Sequence, residues 1–511
     1  MPADLGSKPT KGRTPPVVRV LVLATFVVIL NETIMINAIP RLMTSFHVTE
    51  LAAQWVSTAF MLTMAAIIPT TGWFLQRVTT RQAYATAMGV FIAGTIISAL
   101  APTFAVLLIG RVIQAGGTAV MMPLLMTTLM TVVAESDRGR VMGNVTLAIS
   151  VAPAMGPVIS GLILQINLSV IDSWRLLFVV MLPIAGIVTW LGLRELKNVG
   201  EPQPSVLDLP SVALAALGFG GLVYGLSEFA GGDYLIASLI VAGGVALIAI
   251  FAVRQLFLQR DGSPLLDLRV LLVGTYTKSL VLMSIAFLAM MGSMILLPLY
   301  LQNLRGLSAL ETGLLVMPGG LAMGLLGPTV GKLFDRFGGR ALVIPGSIGI
   351  AASLFGFTQI SLTMPYWILL ALHILLMVSL AAAFTPVFTL GLGALPMNLY
   401  SHGSSMLGTL QQVAAAFGTA LVVTVMSAHT KSLIADGVGR EIATLDGMKL
   451  AFLVSAVLAL IVVAMAVLLP NRSANPHGGH GAMDDAIEVV LDDPARPTDS
   501  AEDDTPQLIK G

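Results

Sequence analysis

The sequence contains no cysteine, and only 11% of its 511 residues are charged. The lack of cysteine excludes disulfides and thiolate metal or redox sites. The low charged fraction stands beside an apolar fraction of 56% and a mean hydropathy of +0.90, more hydrocarbon than a soluble domain can bury. The formal net charge is zero, so bulk electrostatics does not indicate a nucleic-acid partner. The chain is therefore expected to lie in a lipid bilayer.

The chain carries an internal duplication. The segment 72–81, GWFLQRVTTR, recurs in altered form as GKLFDRFGGR at 331–340, which is an offset of 259 residues (331 minus 72). The same offset maps the apolar run that begins near Val17 onto the run that begins near Tyr276. The repeats are thus about 17–194 and 276–470, around an insertion at 195–275. Two similar membrane halves are typical of transporters, because alternating access rocks one repeat against the other.

Apolar stretches of about 20 residues, long enough to cross about 30 Å of hydrocarbon, occur fourteen times. We therefore predict an all-α membrane protein with two six-helix bundles and two inserted helices. The inserted pair carries Glu228 and Asp233 near one end and is interpreted as a structural annex. The predicted spans are 17–38, 51–72, 83–101, 104–130, 141–164, 173–193, 209–230, 234–253, 277–300, 311–331, 341–359, 365–389, 405–427 and 448–469.

Lysines and arginines are distributed unequally between the two sets of loops. The N-terminal tail, 1–16, and alternate loops through Arg340 hold seventeen of them, and the opposite loops hold six. The positive-inside rule then predicts that both termini are cytoplasmic. The polar segment 471–511 is rich in Asp, Glu, Pro and Gly and is predicted to be disordered. Its His477 and His480 do not predict a metal site, and no cofactor is expected.

Two ionisable residues lie deep within predicted spans, Glu32 in the first and Arg111 in the fourth. Charge inside a membrane is costly, so such residues are expected to be functional. Both lie about 10 Å below the same surface at 1.5 Å per residue, so we expect them to face each other. Desolvation favours a neutral acid and a nearby guanidinium favours an ionised one, so a rearrangement can make Glu32 exchange a proton. A structural ion pair that fixes helix register is the alternative.

Four segments in order resemble the fourteen-helix drug:proton antiporters of the major facilitator superfamily. They are LNETIMINAIP at 30–40, GWFLQRVTTR at 72–81, GRVIQAGGTA at 110–119 and APAMGPVISG at 152–161, and the resemblance covers about 17–470. Two positions depart from the family pattern. Gln76 stands where the loop motif usually has Asp, although the second copy keeps Asp335. Asn31 stands where the first helix commonly carries its acid, and Glu32 is the neighbouring residue.

The resemblance implies an exporter with gating loops between helices 2 and 3 of each repeat. The fifth span is predicted to be kinked and tightly packed, and in the family this pattern marks exporters. Cations in the loops are expected to meet helix carbonyls, and Asp335 to meet an arginine. Ordinary anchoring by the positive-inside rule would explain the basic residues but not Asp335. The gating residues are Gly72, Arg77, Arg81, Gly331, Asp335, Arg336 and Arg340, and those of the fifth span are Pro153, Gly156, Pro157 and Gly161.

Polar and thioether side chains in the spans are candidates to line a substrate cavity. Flexible methionine side chains suit ligands of varied shape, although for any single methionine core packing is the more common role. His373 lies in the middle of the twelfth span, where a proton relay and a hydrogen bond to a neighbouring helix are the two alternatives. The candidates are Asn31, Asn37, Gln54, Gln114, Asn144, Met290, Met291, Tyr300, His373 and Gln411.

We conclude from the sequence that the chain is a monomeric proton-coupled antiporter that exports amphipathic or cationic drugs and dyes. An exporter of a native metabolite, such as an amino acid, lipid or siderophore, is the alternative within transport. A membrane-embedded transferase is the alternative from another class, but the longest internal loops, 254–276 and 428–447, carry no catalytic cluster. The physics alone does not distinguish an exporter from a proton-coupled importer; the resemblance in the fifth span favours export.

Overall fold

The structure is a computed structural model and describes residues 15–35, 38–48, 50–164, 166, 172–198, 208–231, 234–260 and 264–471. Asn37, Asp233, His477 and His480 lie outside these residues. The α-helices are α1 (Pro16–Ile34), α2 (Ile39–Phe46), α3 (Glu50–Arg77), α4 (Thr80–Ala99), α5 (Phe104–Val132), α6 (Arg138–Leu164), α7 (Ser173–Glu195), α8 (Leu209–Gly231), α9 (Tyr234–Leu258), α10 (Gly274–Leu299), α11 (Ala309–Phe337), α12 (Arg340–Phe357), α13 (Tyr366–Gly393), α14 (Tyr400–Ala435) and α15 (Arg440–Leu468).

Within the described residues, fourteen helices are long and apolar enough to cross a membrane, and the short α2 is the exception. The predicted number of spans and the all-α class are confirmed. Large apolar side chains lie on the outside of the protein, where Leu235 is 72% exposed and Trp190 is 58% exposed. Such surfaces are stable only against lipid acyl chains, so the chain is a multi-pass membrane protein.

The helices form two bundles and an inserted hairpin. In the first bundle α4 packs on α5 and α7, and α1 packs on α6. In the second, α12 packs on α13 and α15, and α10 packs on α14. The hairpin of α8 and α9 is more closely integrated with the bundles than a separate annex would be. Its helix α8 packs against both α3 and α14, whereas α9 packs mainly on α8. The insertion therefore contacts both bundles through one helix.

Glycine allows α6 and α11 to approach each other closely across the bundle boundary. A Cβ atom on Gly143 would collide with the carbonyl oxygen of Gly327, and one on Gly331 with that of Gly139. Only glycine, which has no side chain, permits backbones to come this close, and close backbone approach strengthens helix packing in lipid. This antiparallel pair is the most extensive contact between the bundles.

Each copy of the duplicated loop makes a two-residue connection between consecutive helices, but by different chemistry. In the first copy Thr79 caps α4, its hydroxyl accepting from the Gln82 amide while the Gln82 side chain accepts from the Thr79 amide. In the second copy Gly338 has φ of 83°, a left-handed conformation that favours glycine, and its N–H donates to Phe334. The two repeats therefore make the same short connection between helices with different residues.

An ion pair fastens the inserted hairpin at the ends of α8 and α9. Arg254 donates to both carboxylate oxygens of Asp208 over 2.6 and 2.7 Å. The hydrogen bond from Arg254 is the main cause that holds the pKa of Asp208 at about 2, below its usual range, and Ser211 adds to the effect. The carboxylate therefore stays ionised at any physiological pH, and the pair does not act as a pH switch.

Two predicted boundaries were wrong. The segment 428–447, predicted to be a loop, is mostly helical, because α14 extends to Ala435 and α15 begins at Arg440. Gly437, with φ of 86°, makes the turn between them. The first span was predicted to reach residue 38, but α1 ends at Ile34 and the short α2 follows. Glu32 consequently lies two residues from the end of its helix instead of about six.

Candidate functional site

The loops 72–81 and 331–340 lie at the same end of the two bundles, which we call the motif face; the opposite end is the far face. Polar contacts that join the bundles cluster in the half nearer the motif face. They include Thr127 Oγ1 to Ser404 Oγ at 2.9 Å, Thr146 Oγ1 to Thr385 Oγ1 at 2.8 Å, Ser405 Oγ to the Ile68 carbonyl at 2.5 Å and Gln76 Nε2 to the Asn398 carbonyl at 3.1 Å. The structure is therefore closed at the motif face.

Asp335 lies at this closure, where the end of α11 meets the start of α6. Its Oδ1 accepts from the Gly139 amide and its Oδ2 from the Arg140 amide, both over 3.0 Å. These amides lie in the first turn of α6, where N–H groups lack partners within the helix and favour an anion. The expectation that Asp335 would bind an arginine side chain was wrong: its hydrogen bonds come from backbone amides of the other bundle.

Two arginines near the loops bind carbonyls at helix ends. Arg340 Nε donates to the Leu469 carbonyl over 2.5 Å, at the end of α15, as predicted for a cation at a helix C-terminus. Arg138 was not singled out from the sequence, yet it donates to the carbonyls of Met130 and Val133 at the end of α5 and to the Tyr400 hydroxyl. Arg138 thereby links the first bundle to the second.

The remaining loop residues lie at the motif face with varied surroundings. Arg77 packs over the Trp73 ring at 5.8 Å, and the Arg81 amide donates to Asn198. Arg336 is exposed and packs over the Phe337 ring at 5.0 Å. Gly72 is buried against the His402 imidazole of α14, so the first residue of the first loop motif also contacts the second bundle.

A buried polar cluster surrounds Arg111, which is 1% exposed in the first bundle. Its Nη1 donates to Gln114 Oε1 at 2.7 Å and to Asn31 Oδ1 at 3.3 Å, and its Nε donates to the Val56 carbonyl at 3.3 Å. The guanidinium stacks 4.2 Å from the centre of the Phe60 ring. Every hydrogen-bond acceptor in this set is neutral, so the positive charge of Arg111 is solvated but not cancelled by contact.

Glu32 does not form the ion pair with Arg111 that its depth suggested. Asn31, the preceding residue, is fully buried and takes the contact with the guanidinium, because successive residues of a helix point about 100° apart. Glu32 is partly exposed at the end of α1 and interacts with Arg111 only electrostatically. The arrangement leaves a partly exposed acid close to a cation that is held by neutral groups.

The fifth predicted span, now α6, connects this acid to the bundle boundary. Gly156 packs directly on Thr33, the residue after Glu32, and the Thr33 hydroxyl approaches the Ala152 carbonyl at 3.5 Å. On another side of the helix, Ala154 packs on Gly320 of α11. Movement of α6 against α11 would therefore also displace α1, which packs on α6. The side chain of Pro157 lies outside the described residues, and Pro153 is half-buried.

Two glycines of α6 make a matched test of this connection. A Cβ atom on Gly156 would collide with Thr33, whereas a Cβ on Gly161 would meet only Leu310 Cδ1 at 3.8 Å, an ordinary contact. We expect Gly156→Val to displace α1 and lower transport by about ten- to a hundredfold, the effect of about 1–3 kcal/mol of overpacking. Gly161→Val should keep most transport. Equal loss in both variants, in membranes with equal protein content, would contradict a specific role for the α1–α6 contact.

The other predicted cavity residues are dispersed. Gln114 and Asn31 belong to the Arg111 cluster, and Asn144, Met291 and Gln411 are half-buried. Met290 is 7% exposed. Tyr300 is fully buried near the far face, where its hydroxyl donates to the Ser361 carbonyl and accepts from Arg305, so its assignment to the cavity was wrong. The side chain of Gln54 lies outside the described residues.

His373 lies inside the second bundle, 4% exposed and packed on Gly319 of α11. Its Nε2 atom has no hydrogen-bond partner, which is costly for a buried polar atom. The packing on Gly319 explains why a glycine is needed there. The position does not bring His373 into the Arg111 cluster.

A second polar cluster, not foreseen from the sequence, folds the linker between α9 and α10. Asp267 is 2% exposed and binds Arg269 and Gln259, while Gln255 Oε1 accepts from the amides of Leu265 and Leu266. The hydrogen bonds from Arg269 are the main cause, against burial, that lowers the pKa of Asp267. Asp267 also interacts electrostatically with His402 of α14. Groups of three or more metal-ligating side chains are absent from the described residues.

A family model and several relatives match most of the length of this chain. The sequence model of the Major Facilitator Superfamily matches residues 21–419. The lincomycin resistance protein LmrB of Listeria monocytogenes is 40% identical over 88% of this chain and 96% of its own length. The uncharacterized MFS-type transporter YcnB of Bacillus subtilis is 39% identical over 90% of this chain and 96% of its own length. The multidrug resistance protein B homolog of Mycobacterium tuberculosis is 27% identical over 79% and 74%.

Solved structures share the fold at low sequence identity. The proton:xylose symporter XylE, bound to 6-bromo-6-deoxy-D-glucose, is 15% identical with a TM-score of 0.59, covering 89% of this chain and 98% of its own. The human organic anion transporter MFSD10 is also 15% identical with a TM-score of 0.59, covering 89% and 100%. At such identity these matches concern the fold alone.

Proposed function

This chain belongs to the major facilitator superfamily, and we propose that it is a proton-coupled antiporter that exports amphipathic or cationic drugs across a bacterial cytoplasmic membrane. The superfamily and its fold are those of transporters and not of enzymes, so the transferase alternative is set aside. Relatives named for lincomycin and multidrug resistance support drug export. We take the protein to act as a monomer, with protons and a lipophilic small molecule as its two ligands.

The observation that carries proton coupling is the arrangement of Glu32 and Arg111. Glu32 is partly exposed, whereas Arg111 is buried and hydrogen-bonded to neutral acceptors. An acid in such a place responds to its hydration and to its distance from the guanidinium, both of which change when the bundles move. A cationic substrate would favour the ionised carboxylate and so displace its proton.

In this proposal the motif face is cytoplasmic, and the structure represents the state that is closed to the cytoplasm. Glu32 then faces the outside, where the higher proton concentration of a respiring cell loads it. Opening of the motif face would bring the protonated acid to the cytoplasm, where proton release and drug uptake follow. The contact of α6 with both α1 and α11 provides the mechanical link between these steps.

The direct test is efflux from proteoliposomes with an imposed pH gradient of either sign. With the drug-releasing side acidic, a cationic dye and lincomycin should each be transported against their gradients. Reversal of the pH gradient should reverse the direction of transport. Transport that does not respond to a pH gradient of either sign would exclude proton antiport, but it would still be compatible with facilitated export.

Topology gives an independent prediction. Tags at Met1 and Gly511 should be accessible only from the cytoplasm, and a tag in the turn at 436–439 only from outside, because lysines and arginines concentrate on the side of the motif face. Protease or antibody accessibility in intact and permeabilised cells measures this. An outside C-terminus would overturn the orientation and with it the assignment of the motif face to the cytoplasm.

A further inference from the structure

The inserted helix α8 and helix α3 enclose a groove near the far face. The groove has a volume of about 360 Å³, and its walls include Trp55, Leu62 and Ala66 from α3 and Gly220, Gly221 and Tyr224 from α8. This volume is in the range of sites that hold drug-sized molecules. Met61 and Leu217, the sequence neighbours of Leu62 and Ala216, are 42% and 62% exposed, so this part of α3 and α8 lies at the lipid-facing surface.

One end of the groove carries two aromatic rings, and a carboxylate lies next to one of them. The rings of Trp55 and Tyr224 lie 5.7 Å apart with a tilt of 36°. Glu228 follows Tyr224 by one helical turn, which places both on one face of α8, and the two side chains interact electrostatically. At 1.5 Å per residue these groups lie roughly 5–10 Å from the ends of their helices, at the level of the lipid headgroups.

We propose that this groove is a binding site for lipophilic cations, built by the insertion. The inference rests on the proposed export of such compounds. Aromatic faces and a carboxylate attract a cation, and the glycine-lined part of the groove accepts its apolar body. The site faces the outer leaflet, so it is suited to receive a cation that leaves the transport pathway. The insertion thereby contributes to substrate handling.

Gly220 permits a blocking variant that spares the fold. A Cβ atom there would lie 3.9 Å from the Ala66 Cβ and 4.0 Å from Leu62 Cδ1, which are ordinary contacts. Gly220→Leu therefore fills the groove from one wall without a backbone collision. Glu228→Gln removes the negative charge and keeps the shape. Glu441→Gln is the matched control, because Glu441 is an exposed acid in the first turn of α15 at the same face.

The experiment is photolabelling of purified protein in lipid nanodiscs with an azido derivative of tetraphenylphosphonium, followed by peptide mapping. Saturable labelling of peptides that contain Trp55 or Tyr224 is expected, with competition by unlabelled tetraphenylphosphonium. Gly220→Leu should abolish this labelling, Glu228→Gln should weaken it about tenfold, and Glu441→Gln should leave it unchanged.

Equal labelling by an uncharged tetraphenylmethane probe, or labelling that unlabelled cation does not compete, would identify an ordinary lipid-filled groove and overturn the proposal. Labelling that survives both groove variants would do the same. Because the assay needs no proton gradient, it separates this inference from the proposed function. If the groove is labelled saturably but the protein does not couple protons to transport, the proposed antiport is wrong and the groove proposal stands.

Discussion

Replacement of Glu32 by glutamine is expected to abolish pH-driven efflux. Glutamine keeps the size and hydrogen-bonding capacity of the neutral acid but cannot release a proton, so the coupling step is lost. Binding of cationic substrates should weaken, whereas neutral substrates should be affected less. Dye efflux from proteoliposomes measures the first effect, and equilibrium binding measures the second. Glu32→Asp should retain partial function, because the shorter acid can still bind and release a proton.

A second measurement makes the same prediction without transport. If a cationic substrate displaces the proton of Glu32, its addition to weakly buffered, purified protein should release protons, which a pH indicator detects. Glu32→Gln should release none, while the exposed acid Glu441 can be changed to glutamine without effect. A Glu32→Gln protein that pumps a cationic dye at the wild-type rate would show that another group carries the proton.

The fate of Glu32 and Arg111 shows how far the sequence alone could lead. Counting residues placed both groups in the same region of the first bundle, but it overestimated the depth of Glu32, because α1 ends at Ile34. The direction of each side chain around its helix does not follow from counting. That direction decides that Asn31, and not Glu32, binds the guanidinium. The residue type was a misleading signal, since an acid is the more obvious partner for an arginine.

The fold was more accessible to prediction than the contacts between the bundles. Runs of apolar residues must be helical in lipid because each backbone polar group needs a partner, so fourteen spans could be counted. Several contacts between the bundles at the motif face come instead from single hydroxyls such as Thr127, Ser404 and Ser405. Serine and threonine are common in membrane helices, so their presence carries little signal without the position of the neighbouring helix.

Substitution of Asp335 by asparagine is expected to open the motif face. The carboxylate accepts two backbone amides at the start of α6, and asparagine has a single acceptor oxygen and no charge for the helix terminus. A hydrogen bond to a charged group contributes about 1.5–3 kcal/mol, so the ratio of closed to open protein should fall by about ten- to a hundredfold. Transport should slow, whereas the affinity for substrate should change little, because Asp335 lies far from Arg111 along the bundles.

Spin labels at Glu195 and Leu468 can measure this opening. Both residues are exposed at the motif-face ends of α7 and α15, in different bundles, and the chain has no cysteine of its own to label. Pulsed electron paramagnetic resonance should show longer distances in Asp335→Asn than in the wild type. Gln76→Ala is the matched comparison, since it removes one hydrogen bond between neutral groups, worth about 0.5–1.5 kcal/mol, in the equivalent position of the first repeat. Its distances should stay close to the wild type. Equal opening in both variants would mean that loop packing, and not the charge of Asp335, holds the motif face closed.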